Sequence, residues 1–140
     1  MNKLKLQNQV CFPVYALAKE IVNRYRPLLQ EFDLTYPQYL VMLVLWENGS
    51  QSVSDIGEKL YLDSGTLTPL LKRLEQKGII NRSRSERDER SVVISLTRVG
   101  EQLQQKAKNI PDKMVDTLSI SKEELLLLKK SIDQVLANLK

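Results

Sequence analysis

The chain has one cysteine, Cys11, and no histidine. As a thiolate, a cysteine sulfur can attack a peroxide oxygen or a disulfide, which nothing else in this sequence does as readily. A free thiol titrates at roughly 8.5, so a fast reaction at neutral pH needs groups that stabilise the anion. Hydroxyl donors and a helix N-terminus both do this. Without them a lone cysteine on a helical face packs as a small hydrophobe. In either case Cys11 has no intrachain disulfide partner.

A second group of chemistry-bearing residues lies between Gly57 and Thr97. Leu67, Leu70, Leu71 and Leu74 follow the i, i+3, i+4, i+7 spacing of one buried helical face. The opposite face carries Ser64, Thr66, Thr68, Lys72, Arg73 and Gln76. Small hydroxyls can approach base edges, and the cations suit phosphates. Beyond this helix the segment RSRSERDERSVVISLT brings Arg82, Arg84, Arg87, Asp88 and Arg90 into an arginine-rich hairpin tip. Asp88 stands two residues from Arg90, where a carboxylate can orient a guanidinium within a tight turn. Such a helix followed by such a hairpin predicts a winged helix-turn-helix DNA-binding domain.

The flanking elements must position these groups. A helical segment spans about Leu6 to Phe32, with Val14, Leu17, Ala18, Ile21, Tyr25 and Leu28 or Leu29 on one side. Pro13 suits a first turn, and Pro27 is expected to kink or divide the segment. Tyr36 to Glu47 reads as a buried central helix closed by Asn48-Gly49. Ser52 with Asp55 opens a short helix, and Asp63 caps the next, which stops at Gly78. Ile79–Ser83 and Val92–Leu96 are the expected strands. Thr97 caps a helix reaching past Ala107, to be kinked or ended by Pro111. Ser121 and Glu124 form a further capping box. The last helix carries Leu125, Leu128, Ile132, Val135, Leu136 and Leu139 in a stripe widened by Leu126 and Leu127. That surplus of apolar surface predicts a dimer interface built with the first helix.

The expected architecture is mainly α with a small β-hairpin: one domain over 1–140, with dimerisation helices at about 1–35 and 98–140 around a DNA-binding winged helix at about 36–97. The net charge is +4, and eight cations against four acids between Lys72 and Arg98 account for all of it. Positive charge gathered in one hairpin is a footprint for a polyanion. No apolar run nears the roughly 20 residues of a membrane span, and the N-terminus lacks a signal peptide's apolar core. A bacterial cytoplasmic, nucleoid-associated protein with no membrane partner, metal or cofactor is expected.

The order of helices, the hairpin and the DxR turn (Asp88, Arg90) resemble the MarR family of bacterial transcriptional regulators. NQVCF at Asn8–Phe12, LTYPQYL at Leu34–Leu40 and LYLDSGTLTPLLKRLE at Leu60–Glu75 resemble its OhrR organic-hydroperoxide sensors and the related MgrA and SarZ regulators. The resemblance implies a homodimer on a pseudopalindromic double-stranded DNA operator, with half-sites about 10 bp apart. It places Ser64, Thr66 and Thr68 near bases, Lys72 and Arg73 at the backbone, and Arg90 in the minor groove. It makes Cys11 the peroxide-reactive thiol, tuned by tyrosines matching Tyr15, Tyr25 and Tyr36, two of them from the partner subunit. An oxidised Cys11 would form a mixed disulfide with a low-molecular-weight thiol or be over-oxidised. Pro13, two residues after the cysteine, departs from the family pattern. The competing expectation is a MarR-type regulator answering to a small aromatic or phenolic ligand. A peroxidase is disfavoured by the lack of a TxxC context and of a histidine base.

Overall fold

The computed structural model describes residues 2–87 and 91–139. Seven helices and three short strands occur among them: α1 (Cys11–Leu29), α2 (Tyr36–Asn48), β1 (Gln51–Ser52), α3 (Val53–Leu60), α4 (Ser64–Gln76), β2 (Ile80–Arg84), β3 (Val92–Leu96), α5 (Arg98–Ala107), α6 (Ile110–Leu118) and α7 (Lys122–Asn138). They form two compact units, residues 1–108 and 109–140.

Helix α1 begins at the cysteine itself, with Pro13 in its first turn. Pro27 does not divide the segment as expected. The helix passes through it and ends two residues later at Leu29, because one missing backbone donor near a terminus removes little. A 3₁₀ turn then leads to Asp33, whose left-handed φ of 52° turns the chain toward α2. Thr35 and Gln38 cap α2 reciprocally: the Gln38 N–H donates to Thr35 Oγ1 at 3.3 Å, and the Thr35 N–H to Gln38 Oε1 at 3.0 Å. Tyr39, Val41, Met42, Val44 and Leu45 are buried, making α2 the central helix of the first unit.

Ser52 caps α3 by accepting from the Asp55 N–H at 3.0 Å, and Asp63 caps α4 by accepting from the Thr66 N–H at 2.7 Å. Leu67, Leu71 and Leu74 are buried, whereas Leu70 is only half-buried. Helix α4 continues through Pro69 and stops where Gly78 takes a φ of +74°. The sheet is antiparallel in the order β1-β3-β2, and Ile94 of β3 is fully buried between Gln51 and Arg82 of its neighbours. Strand β1 is an addition to the sequence reading, and β2 starts one residue later than expected. The Thr97 hydroxyl reaches the carbonyls of Gly78 (2.6 Å) and Ile79 (3.0 Å) and also accepts from the Gly100 N–H. One side chain thus ties the base of the hairpin to the start of α5. Trp46 Nε1 donates to the Gly100 carbonyl at 2.9 Å, fixing α5 to the central helix.

Helix α5 ends at Ala107 rather than beyond it, and Pro111 sits in the first turn of α6, where its missing N–H has no helical partner to lose. Within the second unit, Ser119 in the left-handed region joins α6 to α7. Ser121 caps α7 by accepting from the Glu124 N–H, and its hydroxyl meets the Glu124 carboxylate at 3.2 Å. Leu126, Leu127, Val135 and Leu139 along α7 are largely exposed.

The packing of α4 onto the first unit depends on its buried leucines. Leu71→Ala is expected to lower the stability of the first unit by about 2–5 kcal/mol. Urea denaturation followed by tryptophan fluorescence measures this through Trp46.

Candidate nucleic-acid interface and thiol site

Helix α4 presents Ser64, Thr66, Lys72 and Arg73 to solvent. Thr68 is half-buried, and its hydroxyl donates to the Ser64 carbonyl at 2.7 Å, so its proton is already used within the helix. What Thr68 can still offer an outside partner is an acceptor and a methyl group. Asp63 stands at the head of this face. The Thr66 backbone N–H, then the Thr66 hydroxyl and the Gly65 N–H, hold its carboxyl below the usual aspartate range. The helix is therefore capped by a carboxylate at neutral pH, and the row of small polar side chains starts from a fixed first turn.

At its other end α4 is anchored by Lys77, which the sequence reading did not single out. Its ammonium donates to the Asp33 carbonyl oxygen, lies 3.5 Å from the Asp33 carboxylate and 3.4 Å from Gln38 Oε1. Gln38 is the one buried polar side chain among the described residues, and the α2 cap and Lys77 together satisfy its carbonyl. The C-terminal end of α4 is thus joined to the corner between α1 and α2.

In the hairpin, Arg84 and Arg87 are exposed, and the Ser85 N–H donates to the Ser91 carbonyl at 2.8 Å across its mouth. The Arg87 N–H donates to Ser85 Oγ. Arg82 differs from its expected role as a free cation. It is half-buried, and its Nε is enclosed with no hydrogen-bond partner among the described residues. Its place on the same side of β2 as buried Ile80 turns the side chain toward the domain, which leaves less of it for a polyanion. Asp88 and Arg90 lie outside the described residues.

Cys11 is exposed at the head of α1. Tyr15, one turn on, is 62% exposed, with the Lys19 ammonium 5.2 Å from its ring centre. Tyr25 and Tyr36 meet elsewhere, their rings 4.5 Å apart, and Tyr39 joins them at 5.7 and 6.3 Å. Burial, reinforced by Tyr36 and Tyr39, pushes the Tyr25 hydroxyl up to about 12. Burial likewise raises Tyr36 and Tyr39 above the ordinary tyrosine range. All three hydroxyls therefore stay protonated and available as donors. Sequence reasoning missed Tyr39, although its i+3 relation to Tyr36 on α2 was a legible signal.

The four predicted thiol-site residues thus fall into two pairs. Cys11 and Tyr25 stand fourteen positions apart on one continuous helix, roughly 21 Å at 1.5 Å per residue. A protomer cannot bring its own thiol to its own tyrosine cluster.

A polar-faced capped helix followed by an arginine-bearing hairpin on a three-stranded sheet defines a winged helix-turn-helix regulator of transcription. The model of the family described as transcriptional regulator SarA/Rot matches residues 23–110. The organic hydroperoxide resistance transcriptional regulator of Bacillus subtilis (strain 168) is 51% identical, over 99% of this chain and 94% of that protein. Among solved structures, reduced AbfR bound to DNA superimposes with a TM-score of 0.82 at 36% identity, over 99% of this chain and 96% of that one. Overoxidised AbfR bound to DNA gives 0.79 at 38% identity, over 99% and 97%. AbfR is a protein of Staphylococcus epidermidis. The chain belongs to the MarR family of transcriptional regulators, in the branch that holds the OhrR-like and SarA/Rot proteins.

The Asp63 cap supplies a pH test. Its folded-state pKa is depressed, so its stabilisation is present above the unfolded value of about 3.9 and is lost as pH falls through the folded value. Asp63→Ala should therefore lower the melting temperature at pH 7, and the gap to wild type should close toward pH 3. A gap that is the same at both pH values would show that the carboxylate charge is not what caps α4.

Proposed function

We propose that this chain is a peroxide-responsive repressor that binds a pseudopalindromic double-stranded DNA operator as a homodimer and leaves it when Cys11 is oxidised. The observation that carries this is the separation along α1: a thiol exposed at one end, and a cluster of protonated tyrosine hydroxyls roughly 21 Å away near the other. A second protomer running antiparallel along α1 would set each thiol against the other's cluster. Tyr15 would then come from the same chain as the thiol, and Tyr25 and Tyr36 from the partner. Apolar surface exposed on α1 (Phe12, Val14, Leu17) and on α7 supplies the area such a dimer needs.

In the chemistry proposed, hydroxyl donors stabilise the Cys11 thiolate, which attacks the distal oxygen of an organic hydroperoxide. The O–O bond breaks, the alcohol leaves after taking up a proton, and sulfur is oxidised to the sulfenic acid. A low-molecular-weight thiol then condenses with it, releasing water and leaving a mixed disulfide. Overoxidised AbfR is seen bound to DNA, so in that relative overoxidation is compatible with binding. We therefore take the bulkier mixed disulfide as the releasing species here. An induced change can favour release only through a difference in free energy between the two states. A regulator triggered by a small aromatic ligand would respond equally well without Cys11, and the Bacillus subtilis relative named for organic hydroperoxide resistance favours the thiol.

On DNA, Ser64, Thr66 and Thr68 of each α4 would face bases, with Lys72 and Arg73 on phosphates. Arg84 and Arg87 would follow the backbone, and Arg90, steadied by Asp88, would enter the minor groove. The protein would act in the cytoplasm, at the nucleoid.

Two experiments test the two halves of this reading. Operator binding is measured for reduced wild type and Cys11→Ser, before and after one equivalent of cumene hydroperoxide with a small thiol, with intact mass recorded. Wild type alone should release, with a mass increase equal to the bound thiol less two hydrogens. Retention by both proteins, or release by both, would remove Cys11 from the switch. Arg90→Ala should weaken operator binding by about 1–3 kcal/mol while leaving the dimer intact in sedimentation. Unchanged affinity would refute the minor-groove assignment.

A further inference from the structure

Four of the five glycines answer to something inside the protein. Gly49 and Gly78 have φ values of +73° and +74°, where side chains are strained. A Cβ on Gly57 would stand 2.6 Å from the Leu62 carbonyl oxygen, and one on Gly100 would clash with the Ile79 carbonyl. Gly65 has no such reason. It lies in ordinary helix in the first turn of α4, is exposed, and would place a Cβ 3.4 Å from Asp63 Oδ1, an ordinary contact. Apart from its chain neighbours and the backbone of its own helix, nothing else among the described residues lies within 4 Å of that position.

Glycine is among the poorest residues for a helix, since it leaves the unfolded chain more freedom than alanine would. Here it sits between exposed Ser64 and Thr66, at the head of the face with the small hydroxyls. Its neighbours inside the protein do not require the missing methyl, so the requirement lies outside. A backbone stripped of its side chain permits close approach by a ligand. Resting on the reading of α4 as the recognition helix, we propose that Gly65 is a specificity-determining residue: the point where a base-pair edge in the major groove comes into contact with the α4 backbone. A methyl there would hold the first turn away from the base edges and so weaken the reach of Ser64 and Thr66 as well. The longer Lys72 and Arg73 would still reach phosphates.

Gly65→Ala tests this, because the folded protein and the complex should respond in opposite directions. Three quantities are measured on the full chain: melting temperature, affinity for an operator selected from random duplexes by wild type, and affinity for an unrelated duplex at the same salt. The melting temperature should be unchanged or higher. Operator affinity should fall at least fivefold, while affinity for the unrelated duplex stays within twofold. A smaller loss on the operator overturns the proposal, as does an equal loss on both duplexes, which would place the approach at the sugar-phosphate backbone. A lower melting temperature would also overturn it, by giving the glycine a role within the fold. If wild type itself failed to distinguish the two duplexes, the recognition-helix reading would fall first.

Discussion

The length of α1 sets the terms for everything else in this protein. A 19-residue helix keeps its ends apart whatever the rest of the chain does, and here the cysteine sulfur is at one end and half-buried Tyr25, packed on Tyr36 and Tyr39, is near the other. Thiol chemistry that depends on hydroxyl donors is thereby made a property of two chains together. In the proposed dimer the apolar residues left exposed along α1 would be covered by the second copy rather than by the protomer's own core. A sensor built this way has its chemistry and its quaternary structure in the same place, so a change at sulfur acts directly on how the protomers pack.

From the tyrosine cluster the connections to α4 are short and polar. Tyr36 occupies the first position of α2, next to the Thr35 cap and two residues before Gln38. Gln38 closes the cap and accepts from Lys77, which also grips Asp33 at the end of the preceding turn. Tyr39, on the same helix, touches Trp46 edge-on, and Trp46 holds the first turn of α5. The cluster, the α1–α2 corner and the C-terminal end of α4 therefore belong to one packed body. A displacement of the phenols is carried to α4 as movement of that body rather than as distortion inside it, because close-packed interiors do not deform gradually.

Much of this was legible in the sequence, and the reasons differ by element. Helices α2, α4 and α7 were fixed by local signals: continuous apolar content in one, leucine spacing with Asp63 and Gly78 in another, Ser121 and Glu124 in the third. Strand β1 was not legible, because two residues have no periodicity and become a strand only when Gln51 and Ser52 meet β3. The polar face of α4 could be read from spacing, yet the turning of Arg82 toward the domain could not, since it depends on which side of β2 is covered. Lys77 was counted as one more cation in a basic stretch. Its position over Asp33 and Gln38 is set by how α4 crosses α2, and no local pattern encodes that crossing. The tyrosines were placed through a family likeness. The separation of Tyr25 from Cys11 needed only the rise per residue of a helix, once α1 was known to run unbroken from Cys11.

That separation also bears on how a single sulfur could control operator binding. A dimeric reader holds its operator with two recognition helices, and once one is seated the second binds as an intramolecular partner. Most of the affinity of the pair then depends on the helices being spaced to match successive grooves. Oxidation need not disturb any DNA contact to undo this. It needs to shift the preferred spacing, so that one half-site or the other is strained. Each tenfold loss of affinity corresponds to about 1.4 kcal/mol, and a hundredfold release to about 2.8 kcal/mol. A mixed disulfide forced into a packed apolar interface costs energy of this order, since overpacking alone typically costs about 1–3 kcal/mol. With the thiol between the two protomers, as proposed, so small a chemical change would act on both half-sites at once.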